Sequence, residues 1–507
     1  MIKHTIILLV ALLVLNASEG QRVANRVEAS PPAQSFYLAI HINSDLPLND
    51  SLTITFSRNQ TFSRALYDGG YYLFPLNSNS PFETRINDVH DIGRLTLYSR
   101  EISNSYLPVN QMVEPGDSIK IEILLSEDGT SSIKFSGRGS SKYVLGKMTE
   151  GITLAKKDLE LQAALGKKKT IQVIKQYDSL LIEHVKLLNA FRKKISPQVY
   201  EVWKADAIAE TRNQQFRILS LAYSTADSPN KENWKREIDK LLSKTKVKLR
   251  AQNIGLSRNF IEWEYEKTKW ALVYERNKNY KPWEFTGNND SLEFIDLYKK
   301  LRKNYSGSLR ENLLAYSLLS TSDIYLFFDG CLPDDFTWCL NDAARLIQSP
   351  NLKQRVEEKL RRFGRGAPAF NFELFSEAGQ RIHLSDFKSK TVLIEIWSNG
   401  CTACIDFIKE FERKIYPDIK DRDDLKMMTI SIETDHNKWF SSLKKHSRPG
   451  FVNLYTEKGI SDPLMIHYEI SYTPFVLLID SKGKIISSTV RNCDQLNMLI
   501  KEIVKTK

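Results

Sequence analysis

Two cysteines three positions apart, Cys401 and Cys404, are the residues of this sequence best suited to chemistry. They follow an apolar run, residues 392–397, and a short polar turn; apolar residues after them repeat at helical spacing. Cysteines at positions i and i+3 on the first turn of a helix lie on one face, within reach of an unstrained disulfide. The helix N-terminus favours a thiolate over a thiol. The pattern therefore predicts a dithiol that exchanges disulfides, with Cys401 as the nucleophile and Cys404 as the resolving thiol.

A structural disulfide and half of a zinc site are the alternatives for this pair. A zinc site needs a second pair of Cys or His ligands at ligand spacing, and the sequence offers none. We therefore expect no metal at these cysteines.

Glu395 interrupts the apolar run before the cysteines. A carboxylate inside a buried strand is costly unless it is paired or neutral. Desolvation raises the pKa of such a group, which suits a residue that passes protons to and from Cys404. The alternatives are an edge strand with Glu395 facing water, or a salt bridge to a lysine.

Further residues around this pair form a recognisable series. They are, in order, Ala367, Pro368, Ala369, Phe370, Phe372, Leu374, Gly379, residues 384–388, Lys390, Trp397, Cys401 and Cys404. The series resembles the TlpA/ResA type of thioredoxin-like disulfide oxidoreductases and covers residues 363–507.

The resemblance implies a thioredoxin fold with a cis-proline loop at Thr473 and Pro474. In that arrangement the backbone of Thr473 pairs with an extended substrate segment opposite the dithiol. Glu395 falls where thioredoxins keep a buried acid. The resemblance further implies a protein or peptide disulfide as substrate, a membrane-borne electron donor, and no organic cofactor.

Two features differ from the family pattern. Gly400 stands before the first cysteine, where the family usually has an aromatic residue. Thr402 and Ala403 stand between the cysteines, where thioredoxin has Gly-Pro. We include Gly400 with Thr473 and Pro474 among the predicted substrate contacts.

The whole chain has 507 residues, too many for one hydrophobic core. Residues 1–20 read as a secretory signal, with Lys3 and His4 before an apolar stretch and the small residues Ser18 and Gly20 at its end. We expect export to the periplasm or cell envelope; a retained membrane anchor is the alternative. The net charge of +11 is then an exposed basic surface, and nucleic acid is not expected as a partner.

Residues 21–139 are predicted to form a β-rich, sandwich-like domain of short antiparallel strands. The predicted strands are 36–42, 51–57, 71–74, 94–98, 118–123 and 131–136. Residues 113–119 and 133–139 resemble N-terminal sheet domains that precede thioredoxin domains in some exported bacterial proteins.

Residues 140–362 have helical periodicity and are predicted to form a helical domain. One apolar stripe consists of Ile174, Tyr177, Leu181, Val185, Leu188 and Phe191. Trp263, Tyr265 and Trp270 are interpreted as core residues rather than the lining of a groove. Residues 361–366 are predicted to be a hinge before the α/β domain, residues 363–507. The predicted fold class is therefore multidomain α+β.

Three cysteines remain. Cys331 and Cys339 bracket residues 332–338. In an oxidising compartment they could close a small disulfide loop; two reduced thiols and a second redox centre are the alternatives. Cys493 is interpreted as a buried, unreactive thiol.

Together these observations predict an exported thiol–disulfide oxidoreductase, and the family resemblance implies that it reduces protein disulfides. A partner-binding or scaffold protein and a disulfide isomerase are the alternatives. A peroxidase of related fold is disfavoured, because its active-site Thr and a nearby proline are absent: Ser398 stands three residues before Cys401.

Overall fold

A computed structural model describes residues 34–505 except 45–49, 58–69, 77–80, 88, 101, 103–106, 108–109, 127–130, 165–169, 227, 245–246, 277–292, 321–330, 471 and 491. The predicted secretory signal, residues 1–20, lies outside the described residues. The described chain forms two compact units, one up to Lys267 and one from Thr268 onward. None of the helices in these ranges is both long and apolar enough to cross a lipid bilayer.

The first unit begins with a sandwich of two four-stranded sheets, ordered β4-β1-β7-β8 and β3-β2-β5-β6. Its strands are β1 (Ser35–Ser44), β2 (Ser51–Ser57), β3 (Gly70–Pro75), β4 (Phe82–Asn87), β5 (Gly93–Tyr98), β6 (Gln111–Val113), β7 (Ser118–Leu125) and β8 (Ser131–Ser136). Alternate residues enter the core: Phe36, Leu38 and Ile40 of β1 are fully buried.

One strand pair corrects the expectation of a purely antiparallel sandwich. β1 runs parallel to β7, from Tyr37 opposite Ser118 to Ser44 opposite Leu125. Strands joined by a tight turn pair antiparallel. Between β1 and β7, however, the chain forms five other strands, one in the same sheet and four in the opposite sheet. The returning chain can therefore enter beside β1 in the same direction.

Helices follow the sandwich in the first unit, as the periodicity predicts. They are α1 (Ser140–Ala164), α2 (Thr170–Phe191), α3 (Pro197–Thr225), α4 (Ser228–Lys244) and α5 (Arg258–Arg276), which contains the division between the units. On α2, Val173 and His184 are buried where the stripe predicted Ile174 and Val185.

The aromatic residues of α5 confirm the prediction of core packing. Trp263, Tyr265 and Trp270 are all at most 3% exposed. They are therefore not available as the lining of an open groove.

The second unit combines helices with a seven-stranded mixed sheet, ordered β10-β9-β13-β12-β11-β14-β15. The strands are β9 (Glu373–Ser376), β10 (Arg381–His383), β11 (Thr391–Trp397), β12 (Leu425–Ser431), β13 (Val452–Tyr455), β14 (Phe475–Ile479) and β15 (Ile485–Ser487). The helices are α6 (Phe294–Asn304), α7 (Gly307–Leu319), α8 (Pro333–Leu346), α9 (Pro350–Phe363), α10 (Thr402–Lys414), α11 (Tyr416–Ile419), α12 (His436–His446), α13 (Pro463–His467) and α14 (Cys493–Lys505). Sheet, helical and mixed α/β regions thus follow one another as the sequence predicts.

The segment predicted to be a hinge, residues 361–366, is fixed by contacts within the second unit. The N–H of Gly366 donates to the carbonyl of Ile485 at 2.7 Å. Arg362 forms an ion pair with Glu469 at 3.0 Å. These bonds hold the end of α9 against the mixed sheet region, so the segment is not a free linker.

A buried ion-pair cluster joins the sandwich to α1 in the first unit. Lys142, whose side chain is 3% exposed, lies 2.8 Å from both Glu114 and Asp117. Removing a buried partner leaves uncompensated charge, whereas an ion pair near the surface contributes little.

We therefore expect Lys142→Met to lower the free energy of unfolding of the first unit by about 3–5 kcal/mol. The matched control is Lys147→Met, because Lys147 pairs with Glu150 on the same helix but is 28% exposed; its loss should stay below about 1 kcal/mol. Urea denaturation followed by circular dichroism measures both. Equal losses for the two variants would contradict the assignment.

Candidate functional site

The chain reaches the cysteine pair through a strand, a turn and a helix start. Every residue of β11 is buried, and the strand lies between β12, which is parallel to it, and β14, which is antiparallel. The turn then passes through Gly400, whose φ of +77° is in the left-handed region that glycine adopts most readily. α10 begins at Thr402 with Cys401 as its N-cap. A buried strand thus fixes the place at which the cysteines emerge.

Cys401 and Cys404 form a disulfide, with their Cα atoms 5.3 Å apart. Cys401 is half-buried and Cys404 is fully buried. The backbone N–H of Cys404 points at Cys401 Sγ at 3.1 Å. This donor, at the positive end of a helix, stabilises negative charge on Cys401 when the pair is reduced. The more exposed cysteine is therefore also the one placed to carry charge.

The loop before β14 lies against the disulfide. The Thr473–Pro474 peptide bond is cis, and the carbonyl oxygen of Thr473 is 3.6 Å from Cys401 Sγ. The hydroxyls of Ser398 and Thr473 lie 2.9 Å apart and share a hydrogen bond. The structure thus brings Gly400, Thr473 and Pro474 to the rim of the cysteine pair.

Ser398 was not singled out from the sequence as a site residue. Its hydroxyl ties the turn before Cys401 to the proline loop, 75 positions later in the chain. A Ser three residues before the first cysteine and a Thr directly before the loop proline are the sequence signal that could have indicated this bond.

Glu395 is fully buried in the centre of β11. Burial raises the pKa of its carboxyl to about 8, and the positive charge of Arg448 opposes this rise. Neither carboxyl oxygen has a hydrogen-bond partner among the described residues. Glu395 therefore does not face water at a sheet edge, and no salt bridge to a lysine forms within the described chain. Arg448 lies far along the chain in a loop, where no local pattern pointed to it.

A row of polar residues crosses the sheet from the position of Glu395. Thr429 of β12 lies opposite Glu395 in the strand register and donates from its hydroxyl to Asn453 Oδ1 of β13 at 2.9 Å. Asn453 in turn donates from Nδ2 to the carboxylate of Glu377, which is exposed. The buried acid thus stands at one end of a polar row whose other end reaches solvent.

Aromatic side chains surround the inner cysteine. Cys404 packs in a cluster with Trp397, Trp439, Leu443 and Tyr455. Trp397 also stacks on His446, with ring centroids 3.8 Å apart and an interplanar angle of 10°. Burial lowers the pKa of His446 to about 4, so the imidazole is neutral at pH 7. The surroundings of Cys404 are therefore apolar.

The other three cysteines are free thiols in the structure. Cys331 and Cys339 are buried and unbonded, so the loop disulfide considered from the sequence is not formed. The Cys331 backbone is instead held by Thr489, which accepts its N–H and donates to its carbonyl. Burial raises the pKa of both thiols.

Cys493 is buried as expected. Its thiol lies 3.7 Å from the carbonyl of Phe407, and burial raises its pKa to about 12. It is therefore a thiol at neutral pH and a poor nucleophile. Among the described residues, no group of three or more His, Cys, Asp or Glu side chains is arranged to hold a metal ion.

Residues 389–485 match the family model described as thioredoxin-like. This part of the chain is a thioredoxin-like domain. The matched range contains the cysteine pair, Glu395 and the cis-proline loop, and these features make it a thiol–disulfide oxidoreductase domain. The thioredoxin-like resemblance seen in the sequence and the predicted fold class are confirmed.

Solved structures from Bacteroides are similar to part of this chain. One, described as the C-terminal domain of a provisionally assigned thiol–disulfide oxidoreductase from Bacteroides thetaiotaomicron, has 25% identity, covers 29% of this chain and 99% of its own, with a TM-score of 0.27. The thioredoxin domain of a Bacteroides vulgatus thiol–disulfide oxidoreductase has 22% identity, covers 28% of this chain and 98% of its own, and has a TM-score of 0.26. None of the curated proteins compared with this chain matches it.

The raised pKa of Glu395 predicts a pH-dependent stability. Its ordinary pKa is 4.5, and in the folded protein it is about 8. Between these values the unfolded chain has released the proton while the folded chain keeps it, so rising pH favours unfolding. Below about pH 4.5 both states hold the proton, and above about pH 8 neither does.

We therefore expect the disulfide-bonded wild type to lose stability relative to Glu395→Gln as pH rises from 4.5 to 8. The loss should be at most about 1.4 kcal/mol per pH unit. Denaturation curves across this pH range measure it, with Glu457→Gln, at an exposed position, as the control. A constant difference between wild type and Glu395→Gln would rule out the raised pKa.

Proposed function

We propose that this protein is an exported reductase of protein disulfides that works through Cys401 and Cys404. The observation that carries the proposal is the half-buried Cys401 sulfur, held between a helix N-terminus and the carbonyl of Thr473. Substrate disulfides reach such a sulfur from solvent, and the cis-proline loop offers backbone groups to an extended segment.

The reaction begins with attack of the Cys401 thiolate on one sulfur of a substrate disulfide. The substrate S–S bond breaks, a mixed disulfide forms, and the other substrate sulfur leaves as a thiolate that takes up a proton. Cys404 then loses its proton and attacks Cys401 Sγ. The mixed disulfide breaks and the Cys401–Cys404 disulfide forms, while the second substrate sulfur leaves. The substrate gains two electrons and the enzyme loses two.

Glu395 is the proposed acceptor of the Cys404 proton. Its pKa near 8 lies between that of an ordinary carboxyl and that of a thiol, so a minor fraction of it is ionised at neutral pH and able to take a proton. The transfer runs directly or through a water molecule. A membrane-borne electron donor returns two electrons to the disulfide and completes the cycle.

Substrate binding is assigned to Gly400, Thr473 and Pro474. Gly400 is exposed and carries no side chain, and nothing lies within 4 Å of the place a Cβ would occupy. The surface beside Cys401 is therefore open to a polypeptide. The proposed domains are a signal at 1–20, a β-rich domain at 21–139, a helical domain at 140–362 and a redox domain at 363–507. The first of the folded domains, 21–139, is proposed to hold a partner or a position at the cell surface.

We expect Cys404→Ser to trap a covalent complex with a disulfide-bonded peptide, because the resolving thiol is missing and the mixed disulfide at Cys401 persists. Cys401→Ser should trap none and should have no reductase activity. Non-reducing electrophoresis and mass spectrometry detect the complex. Cys331→Ala, which changes a buried thiol of the same unit, is the control and should reduce the peptide like wild type. Full activity of the Cys401→Ser/Cys404→Ser double variant would indicate a scaffold protein instead.

The direction of electron flow is tested by the reduction potential of the Cys401–Cys404 couple. A reductase should have a potential near that of thioredoxin, about −270 mV, whereas an oxidant would lie near −120 mV. Equilibration with glutathione or dithiothreitol buffers, followed by alkylation, gives the value. A potential of about −120 mV would refute the reductase assignment but not the disulfide-exchange chemistry.

A further inference from the structure

The first unit contains a cavity of about 520 Å³ that the redox chemistry does not use. Its walls come from β5, β6 and β8 of the sandwich and from α1, α2, α3 and the start of α5. A volume of this size falls in the range of about 300–1,000 Å³ that small-molecule sites occupy. The cavity is therefore a candidate binding site in the part of the chain to which no chemistry has been assigned.

Most charged groups in the wall are paired with another charged side chain. Within the wall, Arg94 pairs with Asp206 at 2.8 Å and Lys147 with Glu150 at 2.6 Å, while Glu210 pairs at 3.1 Å with Lys156, which does not line the cavity. Lys157 also lines the cavity, but its side chain is exposed. A charged ligand would have to compete with these pairs, so the wall favours an uncharged one.

Two polar side chains of the wall have no hydrogen-bond partner among the described residues. They are the hydroxyl of Tyr143, which is 1% exposed, and both ring nitrogens of His184, which is 6% exposed. Burial and the nearby charge of Lys156 lower the pKa of His184 to about 4, so its ring is neutral at pH 7. Buried polar groups left without a partner are costly, and a ligand that bonds to them removes this cost.

The two groups share one chemical requirement. A tyrosine hydroxyl both donates and accepts, and a neutral imidazole donates from one nitrogen and accepts at the other. A ligand hydroxyl also does both, so it can satisfy either group in either direction. An ammonium group only donates and a carboxylate only accepts, so each can bond to these two groups in one direction only, and the ion pairs of the wall disfavour both charges.

The remaining wall offers apolar surface beside amide groups. Phe135 and Trp203 present rings, and Gln111 and Asn259 present side-chain amides. Gly146 of α1 lies so close to the Gln111 amide that a Cβ at position 146 would overlap with the amide. A sugar presents C–H groups on its faces and hydroxyls at its edge. Aromatic rings can pack against the C–H faces, and side-chain amides can form hydrogen bonds with the hydroxyls.

We infer that this cavity binds a neutral saccharide, whose hydroxyls bond to Tyr143 and His184. The site is separate from the dithiol, since all of its lining residues belong to the first unit. The inference does not depend on the redox activity, and each can fail without the other.

Isothermal titration calorimetry of the full oxidised chain tests this inference. The probes are glucose, N-acetylglucosamine and maltose, with glucuronic acid and glucosamine as charged counterparts. We expect at least one neutral sugar to bind at millimolar concentration or below, and more tightly than the charged ones. Tyr143→Phe should weaken that binding by roughly three- to tenfold, the loss of one neutral hydrogen bond. Without sugar, its melting temperature should equal or exceed that of wild type.

Tyr200→Phe is the matched control. Its hydroxyl donates to Asn189 at 2.6 Å on the same unit and does not line the cavity, so sugar affinity should be unchanged. His184→Gln provides a second test of the cavity if Tyr143→Phe fails to fold. The inference is overturned if no neutral sugar binds at millimolar concentration, if the charged sugars bind more tightly, or if neither cavity variant changes the affinity.

Discussion

The contact between the Cys404 N–H and the Cys401 sulfur is the interaction on which the redox site depends. It exists because the chain leaves a fully buried strand, turns through Gly400 and starts a helix at once. The same short connection brings Cys401 to the carbonyl of Thr473, and the Ser398–Thr473 hydrogen bond holds the two loops at that distance. A longer turn would separate the sulfur from both the helix N-terminus and the proline loop.

Glu395, in contrast, is a polar group whose burial in the sheet costs folding free energy. An apolar residue at its position would pack against the same helices without a desolvation cost. The neighbouring strand nevertheless places Thr429 beside it, and a loop supplies the charge of Arg448 at longer range. Combined with the aromatic cluster around Cys404, this arrangement gives an inner cysteine in apolar surroundings and a carboxyl that can be neutral or charged near pH 8.

Local patterns made much of the fold predictable, because alternation and helical spacing depend on neighbouring residues. β4 and β6 were not predicted: half of β4 is polar and exposed, and β6 is only three residues long. The parallel β1–β7 pair and the Ser398–Thr473 bond depend on residues far apart in the chain. A helical stripe predicts the buried face of a helix only to within one position. On α2 the stripe therefore predicted Val185 to be buried, whereas His184 is the buried residue. The cysteine pair itself was predictable because its spacing and its flanking elements are local, whereas the cis bond at Pro474 was implied only by family resemblance.

Burial of the three remaining cysteines also determines which thiols of the folded protein react with electrophiles. Cys331, Cys339 and Cys493 are at most 5% exposed, and burial keeps each of them protonated at neutral pH. A thiol-directed label applied to the reduced, native chain therefore reads out one sulfur, Cys401. The fluorescence or mass of that label becomes a reporter of redox state that needs no engineered cysteine and no removal of native ones.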